Sequence, residues 1–204
     1  MKLYFASGAC SFAPHVVLQE LGVAYDLARV NNRSKRTSDG VDFLAVNPKG
    51  YIAALQLDNG EVLTEGPTLL QYLGDLKPDL GLAPEGGLPR LRSQEWLSFI
   101  TSEIHAGSGP LFNKALPAKA QEFLKDRLFR RFDFLGLHLA AQPYLMGQCF
   151  TVSDAYLFTV LEWMDGFDIN LNRWPSLAEF MARIATRPSV AAARVREAEI
   201  PPVL

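Results

Sequence analysis

Apolar and polar positions in the first 75 residues alternate between the spacing of strands and the spacing of helices. The apolar runs predict four strands, at 2–6, 24–30, 52–57 and 61–64. Two helices are predicted: one has Pro14 in its first turn and Gly22 at its end, and the other begins near Pro67. The resulting order, β-α-β followed by β-β-α, is typical of an α/β domain.

The apolar spacing after residue 90 is helical throughout. It predicts four helices, around 96–104, 123–139, 152–164 and 177–186. The third stretch is so apolar that it predicts a central, buried helix. A segment rich in proline and glycine, 77–89, separates the two patterns. We therefore expect an α/β domain at residues 1–78 and an all-helical (all-α) domain at 87–204.

Composition narrows the possible functions. The chain has 204 residues, 20 Lys and Arg against 22 Asp and Glu, and a net charge of −2. This balance argues against nucleic-acid binding by bulk positive charge and against a polybasic membrane anchor. No apolar run reaches the ~18–20 residues of a membrane span. Two cysteines far apart in sequence favour a reducing compartment, so a cytoplasmic location is expected.

Two predicted helix starts carry candidate chemistry. Cys10 stands between the first strand and the first helix, where free N–H groups and partial positive charge favour a thiolate or another anion. The alternative is a small buried residue in a tight loop. Glu65 stands where the second helix begins, so its carboxylate could hold an ammonium group while the adjacent N–H groups hold a carboxylate. It could equally be an acid that complements the helix dipole. No cluster of His, Cys, Asp or Glu has metal-ligand spacing, so no metal is expected.

A polar stripe follows one side of the helix predicted around 96–104. Helical spacing places four polar side chains opposite the apolar ones: Ser98, Thr101, Ser102 and His105. The stripe could form one wall of a cleft or a solvated face. Glu103 falls inside the apolar stripe and requires a partner that the sequence does not identify.

Several short motifs occur together in a characteristic order. They are Tyr4, Ser7-Gly-Ala-Cys10-Ser11, Val46-Asn-Pro-Lys-Gly50, Leu63-Thr-Glu-Gly66, Gln71-Tyr-Leu73, Trp96-Leu97 to His105 and Phe150-Thr-Val-Ser-Asp154. In this order they resemble the glutathione S-transferase family, most closely its bacterial beta class. The resemblance implies a thioredoxin-like first domain, an all-helical second domain, glutathione as co-substrate, a small apolar electrophile and a homodimer.

The resemblance also implies which residues of the first domain hold glutathione. Cys10 would face the glutathione sulfur, as a hydrogen-bond partner or in a mixed disulfide. Lys35 would reach the glycyl carboxylate, and the backbone of Ile52 would pair with the tripeptide as an added strand does. Glu65 and Gly66 would hold the γ-glutamyl group.

The second domain would supply the other wall of the cleft. By resemblance, His105 would lie near the sulfur, and Ser98 and Ser102 would line the same cleft or face it from the partner subunit. Apolar candidates for the electrophile pocket are Leu111, Phe112, Phe158 and Trp163, although core packing explains each equally well.

The chain departs from the family pattern at the start of the third strand. The family has a Val-Pro step with a cis peptide there, and this chain has Ile52-Ala53. Because a cis peptide before a non-proline residue costs ~2.5–4 kcal/mol, we expect a trans peptide at Ala53 and weakened or altered glutathione binding.

The remaining singled-out residues have structural interpretations. Thr151-Val-Ser-Asp154 predicts a helix capping box. Cys149 is expected to be a buried, inert thiol, His15 to pack in the first helical turn, and His138 to lie on the surface. Three arginines are expected on a solvated helix face: Arg127, Arg130 and Arg131.

Three functions follow from this pattern. The leading one is transfer of the glutathione thiolate to a small hydrophobic electrophile, with Cys10 and His105 nearest the sulfur. The second is glutathione-dependent reduction of disulfides or peroxides through a mixed disulfide at Cys10. The third is a non-catalytic ligand- or protein-binding role on the same fold.

Overall fold

A four-stranded mixed sheet organises the first part of the chain. The computed structural model describes residues 1–203. The strands are β1 (Lys2–Phe5), β2 (Asp26–Arg29), β3 (Ala54–Gln56) and β4 (Val62–Thr64). Their spatial order is β2-β1-β3-β4, with β1 and β2 parallel and the other neighbours antiparallel. All four predicted strands are present in the predicted order along the chain, and β2 and β3 are markedly shorter than their apolar runs.

Helices cover this sheet and then form the whole of the second part. The first part contains α1 (Phe12–Leu21), α2 (Phe43–Val46) and α3 (Gly66–Asp75). The second part contains α4 (Gly87–Phe99), a π-helical segment (Ile100–His105), α5 (Ala106–Ser108), α6 (Ala118–Ala141), α7 (Val152–Leu161), α8 (Pro175–Ala185) and α9 (Pro188–Glu199). The predicted fold class, an α/β part followed by an all-helical part, is confirmed. The sequence reasoning had not singled out α2 or α9.

Helix α7 is buried along its entire length, as its apolar sequence predicts. Its first turn is the predicted capping box: the Thr151 N–H and Oγ1–H both donate to Asp154 Oδ2 at 2.8 Å. The backbone N–H of Leu145 donates to the other carboxylate oxygen at 2.8 Å. Burial raises the pKa of Asp154 to about 6.

The π-helical segment Ile100–His105 follows α4 directly and replaces the C-terminal part of the predicted α-helix. Glu103 within it accepts hydrogen bonds from Arg131 of α6, at 2.6 Å from Nε and 2.5 Å from Nη2. This supplies the partner that Glu103 required. The expectation that Arg131 only faces solvent is therefore wrong, because about a third of its side chain is exposed and its guanidinium is paired.

Both parts of the chain share one apolar cluster, and α1 packs against α3, α7 and α9. His15 of α1 is fully buried, which agrees with its predicted packing role. Its Nδ1 lies 3.0 Å from Oε1 of Glu197 in α9, and both side chains are withdrawn from water. The last helix is thereby joined to the first.

Two peripheral predictions are wrong. Cys149 is exposed, because the neighbouring Phe150 takes the buried position in that loop. His138 is half-buried, with its ring 4.6 Å from that of Trp96 and its Nε2 3.0 Å from the carbonyl oxygen of Leu145. Within residues 1–203, no helix combines the length and the apolar character needed to cross a membrane.

Candidate active site

A cleft of about 700 Å³ lies between the sheet-containing part and the helical part. Both parts contribute to its lining. From the first come Cys10, Lys35, Ile52, Glu65 and Gly66, and from the second come Thr101, His105, Phe112, Tyr156 and Trp163. The structure thus brings together six of the eight residues that the sequence assigned to a glutathione site.

The loop before α1 holds Cys10 at one end of the cleft. Ser11 fixes this loop, because its buried hydroxyl accepts from the Ala6 N–H and donates to the Ala6 carbonyl, both at 3.2 Å. The Cys10 thiol donates to the carbonyl oxygen of Ile52 at 3.4 Å. Burial raises the thiol pKa to about 11, so the sulfur keeps its proton at neutral pH. In the free protein, the burial of the sulfur therefore outweighs the preference of the helix start for an anion, which agrees with the alternative of a residue enclosed in a tight loop.

The peptide joining Ile52 to Ala53 is cis. The expectation of a trans peptide is therefore wrong, while weakened or altered glutathione binding stays a prediction. Ala53 is buried, and Ile52 lines the cleft directly beside Cys10.

Lys35 reaches the same rim of the cleft from the loop between β2 and α2. Its ammonium group donates to the carbonyl oxygen of Gly50 at 2.8 Å. Asn47 steadies this rim, because its amide donates to the Tyr51 carbonyl oxygen at 2.7 Å. Lys35 is therefore a cation held near an open space, as a carboxylate-binding residue must be. Asn47 and Tyr51 also line the cleft, and the sequence analysis did not single them out.

Glu65 and Gly66 stand where β4 leads into α3. Glu65 has a φ of 71°, in the region that residues with a side chain rarely adopt. Its exposed carboxylate lies 2.5 Å from the ammonium group of Lys49. Gly66 faces Tyr156, because a Cβ built at this glycine would lie 3.8 Å from the Tyr156 Cζ.

His105 and Tyr156 form the wall that the helical part contributes. The Tyr156 hydroxyl lies 2.6 Å from His105 Nδ1 and 3.5 Å from Thr101 Oγ1. Burial lowers the pKa of His105 and raises that of Tyr156, so both side chains are neutral at pH 7. Sequence reasoning missed Tyr156. The available signal was a tyrosine in a strongly apolar helix predicted to be buried, since a buried phenol needs a hydrogen-bond partner.

Two of the four apolar candidates line the cleft. Phe112 and Trp163 lie edge to face with ring centroids 5.3 Å apart, and the Trp163 indole N–H donates to the Gly8 carbonyl oxygen at 3.0 Å. Leu111 and Phe158 are instead buried in the core. The lining therefore offers an aromatic surface beside the thiol.

Ser98 and Ser102 are exposed and lie outside the lining of the cleft in their own chain. The wider π-helical turns after Phe99 change the rotation per residue, so the polar stripe predicted from α-helical spacing divides. Thr101 and His105 turn to the cleft, and the two serines turn to solvent. Contact from a partner subunit stays a prediction for both serines.

Chemically, the cleft combines hydrogen-bond donors with an apolar aromatic wall. The Cys10 S–H and the His105 ring border one space, and Lys35 adds a positive charge at the rim. Such a site suits an anion whose other end is attached to an apolar group. Residues 1–203 contain no group of three or more His, Cys, Asp or Glu placed to hold a metal ion.

Comparison with known proteins gives concordant matches to both parts of the chain. Residues 8–76 match the family model of the glutathione S-transferase N-terminal domain, and residues 99–188 match that of the C-terminal domain. Glutathione S-transferase GstA of Escherichia coli O157:H7 is 41% identical over 191 residues, which cover 93% of this chain and 95% of that protein.

Solved structures agree with the sequence matches. A ternary complex of BphK, a bacterial glutathione S-transferase, is 43% identical with a TM-score of 0.94, and the alignment covers 97% of this chain and all of that one. A sphingomonad glutathione S-transferase in complex with glutathione is 40% identical with a TM-score of 0.93, covering 97% and 99% of the two chains.

Proposed function

Because the chain belongs to the glutathione S-transferase family and is a glutathione transferase, we propose that its cleft joins the glutathione sulfur to a small hydrophobic electrophile. The observation that carries this proposal is the convergence of Cys10 and His105, from separate parts of the chain, on one cleft of about 700 Å³. The thiolate sulfur forms a bond to an electrophilic carbon, and the leaving group departs with its electron pair. The proton of the free thiol passes to solvent before attack.

Cys10 acts in this proposal as a hydrogen-bond donor to the glutathione sulfur. A thiol whose pKa is about 11 keeps its proton and can stabilise a neighbouring thiolate. The same property makes Cys10 a poor nucleophile at pH 7, because the thiolate is the reactive form. This supports conjugation over the mixed-disulfide route.

Glutathione itself would lie along the first part of the chain. Lys35 takes the glycyl carboxylate, and the backbone of Ile52 pairs with the extended tripeptide. Glu65 and the N–H groups at Gly66 hold the γ-glutamyl head group, because a carboxylate beside a helix start offers both an acceptor and donors. In the free protein Lys49 forms an ion pair with Glu65. When glutathione binds, the Glu65 carboxylate would pair with both Lys49 and the ammonium group of the γ-glutamyl residue.

The helical part would bind the electrophile. Phe112 and Trp163 give an aromatic surface for a small apolar molecule, and His105 stands between that surface and the sulfur. Holding both reactants in one cleft removes part of the entropic barrier to their meeting.

A homodimer also forms part of the proposal. Phe134 of α6 is exposed beside the rings of Trp96 and Phe99, and Leu137 is exposed on the same helix. Together they give an apolar face that a second copy could cover. Sedimentation equilibrium would then report twice the mass of the chain, and a monomer mass would contradict this part.

The protein would work in the cytoplasm, where thiols such as those of Cys10 and Cys149 stay reduced.

Titration calorimetry with glutathione tests the proposal, combined with an assay of transfer to an activated aryl chloride. The parent and Cys10→Ala should both bind glutathione, and Cys10→Ala should keep transfer within about tenfold, since it loses one hydrogen bond worth ~1 kcal/mol. Cys149→Ala is the matched control and should behave as the parent does.

The other outcomes identify the alternatives. Loss of all activity in Cys10→Ala, with disulfide reduction in the parent, would favour the redox function. No glutathione binding in either protein would favour a binding role for the same fold.

A further inference from the structure

The Tyr156 phenol is the closest polar neighbour of the His105 ring within the described chain. The phenol oxygen lies 2.6 Å from Nδ1 of His105, and the two rings pack edge to face with their centroids 5.8 Å apart. Tyr156 comes from the rigid, buried helix α7, 51 positions along the chain from His105. The phenol is thus fixed in place before any substrate arrives.

The direction of this hydrogen bond follows from the neighbouring groups. Thr101 uses its hydroxyl proton on the Leu97 carbonyl oxygen, at 2.7 Å, and lies a long 3.5 Å from the phenol. The phenol proton therefore has one short acceptor, His105 Nδ1. A phenol with a raised pKa and an imidazole with a lowered pKa agree with donation in this sense.

A neutral imidazole carries one N–H, so a lone pair on Nδ1 requires the proton on Nε2. Among residues 1–203, the hydrogen bond of the His105 ring is made at Nδ1, and the ring lines the cleft, where Nε2 can meet a bound molecule. The hydrogen bond from Tyr156 therefore determines whether Nε2 of His105 acts as a donor or as an acceptor toward a molecule bound in the cleft.

We propose that Tyr156 is a positioning residue for His105: its hydroxyl donates to Nδ1 and holds the imidazole as the Nε2–H tautomer, which presents a donor to the cleft. This inference rests on the proposed function, in which His105 stands near the glutathione sulfur. The Nε2–H would then stabilise the thiolate or the departing anion. Without the phenol, the proton could move to Nδ1 and leave an acceptor facing the anion.

Tyr156→Phe removes the hydroxyl and keeps the buried ring. Nitrogen-15 NMR of the His105 ring reads the tautomer directly, and it needs no substrate. We expect the parent to show a protonated Nε2 and an unprotonated Nδ1, and Tyr156→Phe to show a mixture. His105→Ala identifies the resonances, and Tyr144→Phe is a matched control, since Tyr144 lies outside the cleft.

The pKa of His105 gives a second readout. Donation to Nδ1 stabilises the neutral ring, so Tyr156→Phe should raise the pKa of His105, which the nitrogen-15 shifts of the ring report across a pH titration. The other titratable groups that line the cleft are Cys10, Lys35, Tyr51 and Glu65, and the variant leaves all four in place. In the same variant, kcat should fall about five- to tenfold while the glutathione Kd stays constant.

A double-mutant comparison separates positioning from packing. If Tyr156 acts through His105, Tyr156→Phe should cause no further loss of kcat in a His105→Ala background. An equal loss in both backgrounds would overturn the inference, as would a protonated Nδ1 in the parent. The failure of transfer in the parent would count against the proposed function alone, because the tautomer is still read in the free protein.

Discussion

Cys10 shows how two local effects compete on one atom. The start of α1 favours an anion by ~0.3–1 kcal/mol, but the sulfur is withdrawn from water between its own loop and Ile52. Burial is the largest influence on the thiol and raises its pKa to about 11. The sequence predicts the helix start correctly and cannot show how much water the fold leaves around the sulfur.

A pH-dependent alkylation experiment follows at the residue scale. With a pKa of about 11, only about one Cys10 in ten thousand is a thiolate at pH 7. In a Cys149→Ser background, the rate of Cys10 alkylation by iodoacetamide should rise about tenfold per pH unit between pH 7 and 10, because only the thiolate reacts. Mass spectrometry measures the rate. A rate that is already at its plateau near pH 7 would contradict the assignment of Cys10 as a neutral donor.

The elements of the fold differ in how far local pattern determines them. The strands β1 and β3, the helix α7 and its capping box follow from spacing and from residue types at helix ends. The π-helical segment does not follow from spacing: its apolar and polar positions fit an α-helix equally well, and its Glu103 is paired with Arg131, 28 positions along the chain.

The candidate site divides in the same way. Cys10, Glu65 and Gly66 lie in short motifs at element ends, where sequence is informative. The contact between Tyr156 and His105 joins positions 51 residues apart, so it cannot be predicted from the spacing of residues within one element. Resemblance to a family identified His105, and only the packing of α7 against the π-helical segment identified its partner.

The capping box of α7 gives a prediction at the element scale. Asp154→Ala leaves the buried N–H groups of Leu145 and Thr151 without their acceptor. At ~1–3 kcal/mol for each unsatisfied group, the free energy of unfolding should fall by about 2–6 kcal/mol. Urea denaturation at pH 8, above the pKa of about 6, measures the change with the carboxylate ionised.

Asp126→Ala, at an exposed position of α6, is the control for this change and should alter stability by less than ~0.5 kcal/mol. If the two variants lose the same small amount, the box does not stabilise the helix in the way its geometry indicates.

On the scale of the whole molecule, the last helix of the chain packs directly against the first part. Helix α9 packs on α1, and the buried pair of His15 and Glu197 joins positions 182 residues apart. The cleft lies between two parts whose relative position therefore depends on the C-terminal helix.

Glu197→Ala tests this dependence. The change removes the partner of a fully buried imidazole nitrogen and should lower the free energy of unfolding by about 2–4 kcal/mol. Hydrogen exchange should also become faster in α1 and α9 together, because the contact joins them. Glu199→Ala, exposed on the same helix, is the matched control. Faster exchange confined to α9 would show that α1 is held independently of the pair.

Of the three tryptophans in the chain, all within residues 1–203, Trp163 alone lines the cleft. Its indole N–H donates to the Gly8 carbonyl oxygen, and its ring centroid is 5.0 Å from that of His105. Trp96 and Trp174 pack against other aromatic rings, away from the cleft. The fluorescence of Trp163 therefore depends on what fills the cleft, while the other two emitters give a constant background. The unlabelled protein is its own optical sensor, and stopped-flow emission would time the entry of each reactant separately from the chemical step.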